Sequence, residues 1–388
     1  MEASKLFAFR TPSFSTDPRI TPTYRLMEDA GLVAYQDAGL YTLLPLGSMV
    51  MRKIRETLHS ANEAAEIAEV DFPTLQKRAL WEKSGRWDRF SKESISAETE
   101  DSSLIATPTN EEFVCTLLAR SLQSYKQLPL RMYQIGDIFK KNTASKGIIR
   151  SLVFEVYEAY SFDANEESVK ETRTVFESIF QRLFSALQIK LARIEYPEGD
   201  FVNYFLPHAD GEHKIVIQDG QAQLPQAGER KETVKALSVG MYKVYKPEFS
   251  QQFKLTFRNP GNQVQFPIMS TYGIGISRLF FAMVDCWKNQ YGIQWPEGYA
   301  PFEYAIVPRQ QSMEKHKARE LYDTLREQGK SVLLDDRDNG TLQARIKTFQ
   351  SIGIPIIMVN QQTYPSLTLI HKERKDVCSL ETLLNGGM

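Results

Sequence analysis

The chain has 388 residues and a mass of 44.5 kDa, which at roughly 150 residues per domain gives two or three domains. Hydrophobic residues make up 42% and charged residues 24%, which excludes a disordered polyelectrolyte. The formal net charge of -1 excludes attachment to nucleic acid by bulk positive charge, while leaving local basic patches open.

The apolar run Leu279–Val284 is far shorter than the roughly 20 residues a bilayer span needs, so no membrane association is expected. Three cysteines (Cys115, Cys286, Cys378) without CxxC spacing argue against a disulfide framework or a cysteine zinc site, and favour a reducing compartment. The first residues, MEASKLFAFRTPSFSTDPR, have no apolar core and carry Glu2 and Asp17. They do not read as a secretory signal, and the cytoplasm or a mitochondrial matrix is expected.

In chain order, Tyr24–Ala30 and Gly47–Ala61 have the period of amphipathic helices. Ser91–Ser103 is polar and reads as a mobile loop. Asn110–Ser124 reads as a helix, with Thr109 as its N-cap. Met132–Phe139 and Val153–Tyr160 are β-rich and flank the loop Lys140–Ile149, which predicts an antiparallel hairpin. Ser168–Leu187 reads as a helix, and Gly273-Ile274-Gly275 leads into the apolar helix Ile276–Cys286. Pro/Gly punctuation at Trp295–Pro301 marks a boundary. Beyond it, Tyr304–Val307, Met313–Gln328, Ser331–Leu334, Leu342–Ile352 and Ile354–Val359 alternate strand and helix, as in a small α/β domain with a largely parallel sheet. The architecture expected is α+β: residues 1–300 as a mixed antiparallel-sheet domain, and 301–388 as the α/β domain.

Three constellations bear on chemistry. In Pro108-Thr109-Asn110-Glu111-Glu112, a hydroxyl two residues before a carboxylate could bind an ammonium group; the alternative is helix capping. The loop Lys140–Arg150 carries three lysines and an arginine, which could hold a polyphosphate or an RNA end, or could simply be solvated. In Tyr272–Arg278, two glycines allow close packing of helix on strand, and Arg278 in the first helical turn could face a phosphate. His208 and His213 read as loop residues rather than a metal pair.

These signals occur in the order of a class II aminoacyl-tRNA synthetase, and the passages between them resemble prolyl-tRNA synthetase. Similar stretches are GLYTLLPLGSMVMRKI (39–54), DFPTLQKRALWEKSGRW (71–87), TPTNEEFVCTLL (107–118), SYKQLPLRMYQIGDIFKK (124–141), FEVYEAYSFDANEES (154–168), STYGIGISRLFFAMVD (270–285), GIQWPEGYAPFEYAIVP (292–308), SVLLDDRD (331–338) and SIGIPIIMV (351–359). The resemblance implies a class II catalytic domain over 1–300 and an anticodon-binding domain over 301–388. It makes Pro73 the motif-1 proline of a homodimer interface, Met132–Tyr160 motif 2 and Tyr272–Asp285 motif 3. The interval between motifs 2 and 3 has no room for the bacterial editing insertion, a layout similar to mitochondrial forms.

By the same resemblance Thr109 and Glu111 hold the amino acid. Lys140, Asn142, Phe154 and Arg278 hold ATP, accompanied by Mg2+, with Phe154 under the adenine. Asp336, Arg337 and Arg345 contact tRNA.

The departures fall at the chemistry. The family's Phe-Arg-x-Glu is Phe139-Lys140-Lys141-Asn142 here, its Arg-Glu-Phe is Leu152-Val153-Phe154, and its Lys-Asp is Tyr157-Glu158. Asn203 and Tyr204 stand near the family's His-Glu, and Ser270-Thr271 at its Gly-Cys. A lysine supplies charge but not the guanidinium fork. The sequence therefore favours a synthetase-like protein with impaired or lost aminoacylation, acting as a tRNA- or nucleic-acid-binding or accessory subunit with a protein partner. An accessory subunit of mitochondrial DNA polymerase is one version. The alternatives are an active, mitochondrial-type proline–tRNA ligase, in which Lys140 and Arg278 share the phosphates, and an enzyme that passes an adenylate's acyl group to a carrier protein.

Overall fold

The computed structural model describes all residues except 7–20, 99–102, 142–147, 219, 226–230, 310–311, 339, 361–362, 372–373 and 385–388. The chain forms two compact units. One comprises Ala38–Leu40 and Ile54–Ala282, the other Met1–Asp37, Tyr41–Lys53 and Met283–Met388. The sequence division at residue 300 follows family segments, whereas the contacts group the first 37 residues with the C-terminal ones.

The larger unit is built on a nine-stranded sheet. Its path runs Gln221–Gln223, His213–Gln218, Val234–Tyr245, Ile268–Gly275, Val153–Asp163, Leu130–Phe139 and Ala68–Glu69, with Phe201–Pro207 and Ala192–Glu195 branching from Val234–Tyr245. The pairings are antiparallel apart from the short parallel contact of Ala68–Glu69 with Leu130–Phe139. The expected hairpin is present, with Leu130 opposite Phe162 and Phe139 opposite Val153.

Because side chains alternate across a strand, this sheet has two distinct faces. Tyr157, Tyr242 and Tyr272 lie against the helix Glu166–Ala186. There Phe176 stacks on Tyr272 with ring centroids 4.1 Å apart, Phe180 meets Tyr157 edge-on, and the Arg173 guanidinium covers Tyr242. That helix starts where Asn165 accepts a hydrogen bond from the Ser168 amide, and it buries Val169, Phe176, Ile179, Phe180 and Leu183. The residues of opposite parity, among them Phe154, Val156, Glu158, Met241, Lys243, Tyr245, Thr271 and Gly273, line a cavity on the other face.

Three sequence expectations need correction here. The polar stretch Ser91–Ser103 is not a free loop. Ile95–Glu98 pairs with Ser103–Ala106, which also pairs with Leu75–Lys77, and Ile105 is fully buried. The apolar residues Ile95, Leu104 and Ile105 carry that pairing against the polar composition. The helix predicted over Asn110–Ser124 is shorter, Glu111–Leu118, and its N-cap position is Asn110, without a side-chain cap. Thr109 is therefore not the cap, and its hydroxyl is used elsewhere.

The smaller unit carries a five-stranded sheet in the order Val332–Leu334, Tyr304–Pro308, Ile356–Val359, Ser366–His371, Arg374–Ser379. The first three strands are parallel and the last two join antiparallel. That antiparallel hairpin was not read from the sequence. Helices Ser312–Glu327 and Leu342–Ile352 supply Ala318, Leu321, Leu325, Phe349 and Ile352 to the buried set. Thr341 caps the second helix by accepting from the Ala344 amide, and Gly353 ends it at φ 83°. A side chain at Gly353 would put its Cβ 2.0 Å from the Ile293 carbonyl oxygen, so glycine is required on both counts. Among the described residues no helix is long and apolar enough to cross a membrane.

Candidate active site

The cavity on the open face of the large sheet encloses about 780 Å³ and is lined by Thr109, Glu111, Lys140, Phe154 and Arg278, five of the residues singled out from the sequence. Asn142 lies outside the described residues. Lys140 closes the end of the hairpin, its amide donating to the Leu152 carbonyl at 2.9 Å.

At one end, the Thr109 hydroxyl lies 2.5 Å from Glu111 Oε2 and 2.9 Å from Glu158 Oε1. One hydroxyl proton serves one carboxylate at a time, so the two glutamates share the Thr109 hydroxyl as donor. Burial, then the neighbouring Glu111 charge, pushes the Glu158 carboxyl up. Its other oxygen accepts from Asn110 Nδ2 at 3.0 Å and Gln134 Nε2 at 2.9 Å. Gln76 Nε2 donates to Asn110 Oδ1 at 2.9 Å, and Trp81 Nε1 donates to Gln76 Oε1 at 3.0 Å. This satisfied buried network fixes the floor of the site.

Glu111 is held in the opposite state. Burial works to raise its pKa, but Arg86 and the hydrogen bonds from Thr109 and Tyr245 outweigh it and keep the carboxyl below its ordinary range. Tyr245 Oη donates to Glu111 Oε1 at 3.1 Å. Arg86 Nη1 stands 3.4 Å from Glu111 Oε2 and 3.0 Å from Glu112 Oε1, and its guanidinium lies over the rings of Trp81 and Phe90. Glu112 also accepts from Ser84 Oγ at 2.8 Å, and burial pushes it up to about 7. The result is one ionised carboxylate facing the cavity beside two raised ones, an arrangement suited to an ammonium ligand.

At the other end stand two cations. Lys140 is half-buried, and desolvation, followed by the charge of Arg278, lowers its pKa. Arg278 Nε donates to the Ile149 carbonyl at 3.1 Å, and Nη1 donates to Glu212 Oε1 at 2.7 Å and to the Ser238 carbonyl at 2.8 Å. Arg278 thus faces the cavity as expected, but already engaged. Phe154 lies on the same wall at the start of its strand.

The three C-terminal residues lie in the smaller unit. Asp336 accepts from the Ser4 amide at 2.8 Å and from Ser4 Oγ. Arg337 Nε donates to Asp335 Oδ1 at 2.7 Å, and its guanidinium lies over Phe349. Arg345 is 5% exposed, with Nε 2.8 Å from Asp335 Oδ2 and Nη2 2.9 Å from the Pro308 carbonyl. Arg345, expected to contact tRNA, is here the buried partner of Asp335. Asp335 is itself fully buried and needs the guanidinium as its counter-ion.

Sequence reasoning did not assign Arg86, Glu112, Lys243 or Tyr245 to the site, and treated Glu158 only as a departure from a family pattern. Arg86 lies in LWEKSGRW and Lys243 and Tyr245 in a strand; no spacing rule joins them to Glu111 across the chain. The His208 ring accepts from the Asp210 amide at 3.0 Å, and His213, expected in a loop, instead opens the strand His213–Gln218 opposite Ala236. Among the described residues no group of three or more His, Cys, Asp or Glu side chains is arranged to hold a metal.

An antiparallel sheet thus carries an ionised carboxylate at one end of its cavity and two cations at the other. Residues 93–286 match the tRNA synthetase class II core domain (G, H, P, S and T), and residues 303–375 match the anticodon binding domain. The chain belongs to the class II aminoacyl-tRNA synthetases.

Within that class its relatives include proline--tRNA ligases. That of Rhodopseudomonas palustris (strain BisA53) is 29% identical over 403 residues, covering 91% of each chain. That of Caulobacter vibrioides (strain NA1000 / CB15N) is 26% identical over 439 residues, covering 100% of this chain and 98% of the relative. Among solved structures, Giardia lamblia prolyl-tRNA synthetase in complex with prolyl-adenylate superposes with a TM-score of 0.78 at 19% identity, over 92% of this chain and 74% of that one. The Cryptosporidium parvum prolyl-tRNA synthetase complexed with halofuginone and AMPPNP gives 0.80 at 16% identity, over 96% and 78%. The chain is prolyl-tRNA synthetase-like in sequence and fold.

Proposed function

We propose that the chain activates an amino acid with ATP and transfers it to tRNA, as a proline–tRNA ligase does. The observation that carries this reading is the single cavity in which the Thr109–Glu111–Tyr245 cluster, the cations Lys140 and Arg278 and the ring of Phe154 converge. In this reading ionised Glu111 receives the substrate ammonium, with Thr109 and Tyr245 orienting it. The substrate carboxylate is already ionised near neutral pH, so it attacks the α-phosphorus of ATP without a base, displacing pyrophosphate and leaving an aminoacyl-adenylate. Catalysis then rests on positioning and on charge stabilisation. Lys140 and Arg278 face the developing phosphate charge, and Phe154 offers a ring to the adenine. Mg2+ accompanying ATP would be held largely through phosphate oxygens and water. A ribose hydroxyl of the tRNA end then takes the acyl group and AMP leaves, while the C-terminal domain, which matches an anticodon-binding domain, engages the tRNA.

The relatives' shared activity and the intact ammonium site support ligase function better than a role in binding alone. One observation favours slower chemistry. Lys140 stands where the family carries a fork-shaped arginine, and Arg278 is tied to Glu212 and two carbonyls. Proline-dependent ATP–pyrophosphate exchange followed by tRNA charging tests the reading. Robust exchange and charging support it; exchange without charging points to another acyl acceptor; no exchange with tRNA still bound returns the accessory role. Homodimerisation through the catalytic half, with Pro73 at the interface, belongs to the same proposal, and light scattering giving a concentration-independent 44.5 kDa particle would refute it.

A further inference from the structure

The registers of the large sheet lay its cavity face out as a grid. One row runs Phe201, Lys243, Thr271, Tyr160 across neighbouring strands, and the next runs Asn203, Met241, Gly273, Glu158. Glu158, in contact with the Thr109 hydroxyl, shares its strand with Phe154, and Gly275, at the strand end leading to Arg278, is level with Val156. At about 3.3 Å per residue and about 4.8 Å per strand, Phe154 and Phe201 stand at diagonally opposite corners, about 20 Å apart along the strands and about 14 Å across them. An aminoacyl-adenylate with its base on Phe154 and its ammonium at Glu111 runs along one strand of that grid. The corner at Phe201 is left over.

That corner has a composition of its own. Tyr196 and Phe201 flank the turn between Ala192–Glu195 and Phe201–Pro207, with the Tyr196 amide donating to the Phe201 carbonyl at 2.9 Å and the ring centroids 4.7 Å apart. Both side chains are half-buried and line the cavity. Two cations share the wall, half-buried Lys243 and exposed Arg89, and among the described residues neither charged group makes a hydrogen bond or ion pair. The carboxylates of Glu198 and Asp200 stand on the same turn. Tyr245 joins the corner to the ammonium site: its hydroxyl donates to Glu111, and its ring centroid lies 4.8 Å from the Lys243 ammonium.

The acyl acceptor of a tRNA is a terminal adenosine, which presents a purine face, a phosphate on its 5′ side and ribose hydroxyls. Aromatic rings suit the first, cations the second, and carboxylate oxygens the hydroxyls and the exocyclic amine. With two carboxylates beside its two cations, the corner lacks the positive excess that a triphosphate needs, yet can face one phosphodiester. Resting on the ligase reading above, we infer that this corner seats the 3′-terminal adenosine of the tRNA, its base against Tyr196 and Phe201 and its phosphate facing Lys243 and Arg89. The ribose then lies toward the activated carboxyl.

The test uses the full-length protein and two forms of a proline tRNA, one complete but with 2-aminopurine in place of the terminal adenine, the other lacking that nucleotide. Binding to wild type should quench the 2-aminopurine fluorescence about twofold or more, and removing the nucleotide should weaken binding about tenfold. Tyr196→Ala should abolish the quench, weaken binding of the complete tRNA by a similar factor and leave the shortened one unchanged, whereas Tyr196→Phe should behave as wild type. Lys243→Gln should likewise weaken only the complete tRNA. No quench with wild type, an equal loss for both tRNAs in Tyr196→Ala, or no tRNA binding at all overturns the proposal. If the Tyr196-dependent quench appears without exchange or charging, the ligase reading falls and the seat stands. If charging proceeds without the quench, the seat falls and the ligase reading stands.

Discussion

Replacing Arg86 by methionine removes the cation that bridges Glu111 and Glu112. The guanidinium lies 3.4 Å from the first carboxylate and 3.0 Å from the second, and its own side chain is 18% exposed against 5% and 0% for theirs. Breaking a buried pair of this kind costs about 3–5 kcal/mol, because the remaining charge is left without a partner. The variant can reduce that cost by protonating its carboxylates, and this gives the loss a sign with pH. Without Arg86 the folded-state pKa values of both glutamates rise above their unfolded values. A raised carboxyl pKa leaves stability intact below the unfolded value and removes it as pH climbs through the folded one. The loss should therefore be small near pH 5 and grow toward pH 8 by up to about 1.4 kcal/mol per pH unit for each glutamate. Urea unfolding of wild type and variant at pH 5.5 and pH 8, followed by tryptophan fluorescence, measures it. In exchange assays the acid limb should also move to higher pH, because Glu111 must ionise without help. A loss below about 1 kcal/mol at pH 8 would refute the buried-charge account. A loss equal at both pH values would assign the effect to packing against Trp81 and Phe90 instead.

Glu112, pushed up to about 7, should make wild-type stability fall as pH rises from about 5 to 8, and Glu112→Gln should flatten that dependence in unfolding titrations. Arg278→Ala should abolish ATP binding, while Lys140→Arg should tighten it several-fold by restoring a fork; unchanged nucleotide affinity in both, measured by calorimetry, would remove these residues from the ATP site. Gly353→Ala should cost about 2 kcal/mol or more in thermal unfolding, since the added Cβ meets the Ile293 carbonyl at a positive φ. Arg345→Glu should destabilise the smaller unit by about 3–5 kcal/mol by leaving Asp335 facing a like charge; loss of tRNA retention with unchanged melting would return Arg345 to an RNA-reading role.

Short-range information located the elements and the words of the site. The period of Glu166–Ala186 and of Leu342–Ile352, the strand pair around Lys140, and the Thr109–Glu111 spacing were all readable, because each depends on residues a few positions apart. The resemblance to prolyl-tRNA synthetase followed from many such words in order. What the tertiary structure decided were the charge states and the partners. Thr109 reads as a cap until Glu158, 49 residues away, is brought under its hydroxyl. Glu111 becomes the ionised member of three glutamates only through Arg86 and Tyr245, the latter 134 residues away. Arg345 reads as a tRNA-contacting cation, and only the fold shows the buried Asp335 that it pairs with. Desolvation and Coulomb interaction depend on what the fold places within a few ångströms, and sequence separation carries no record of that distance.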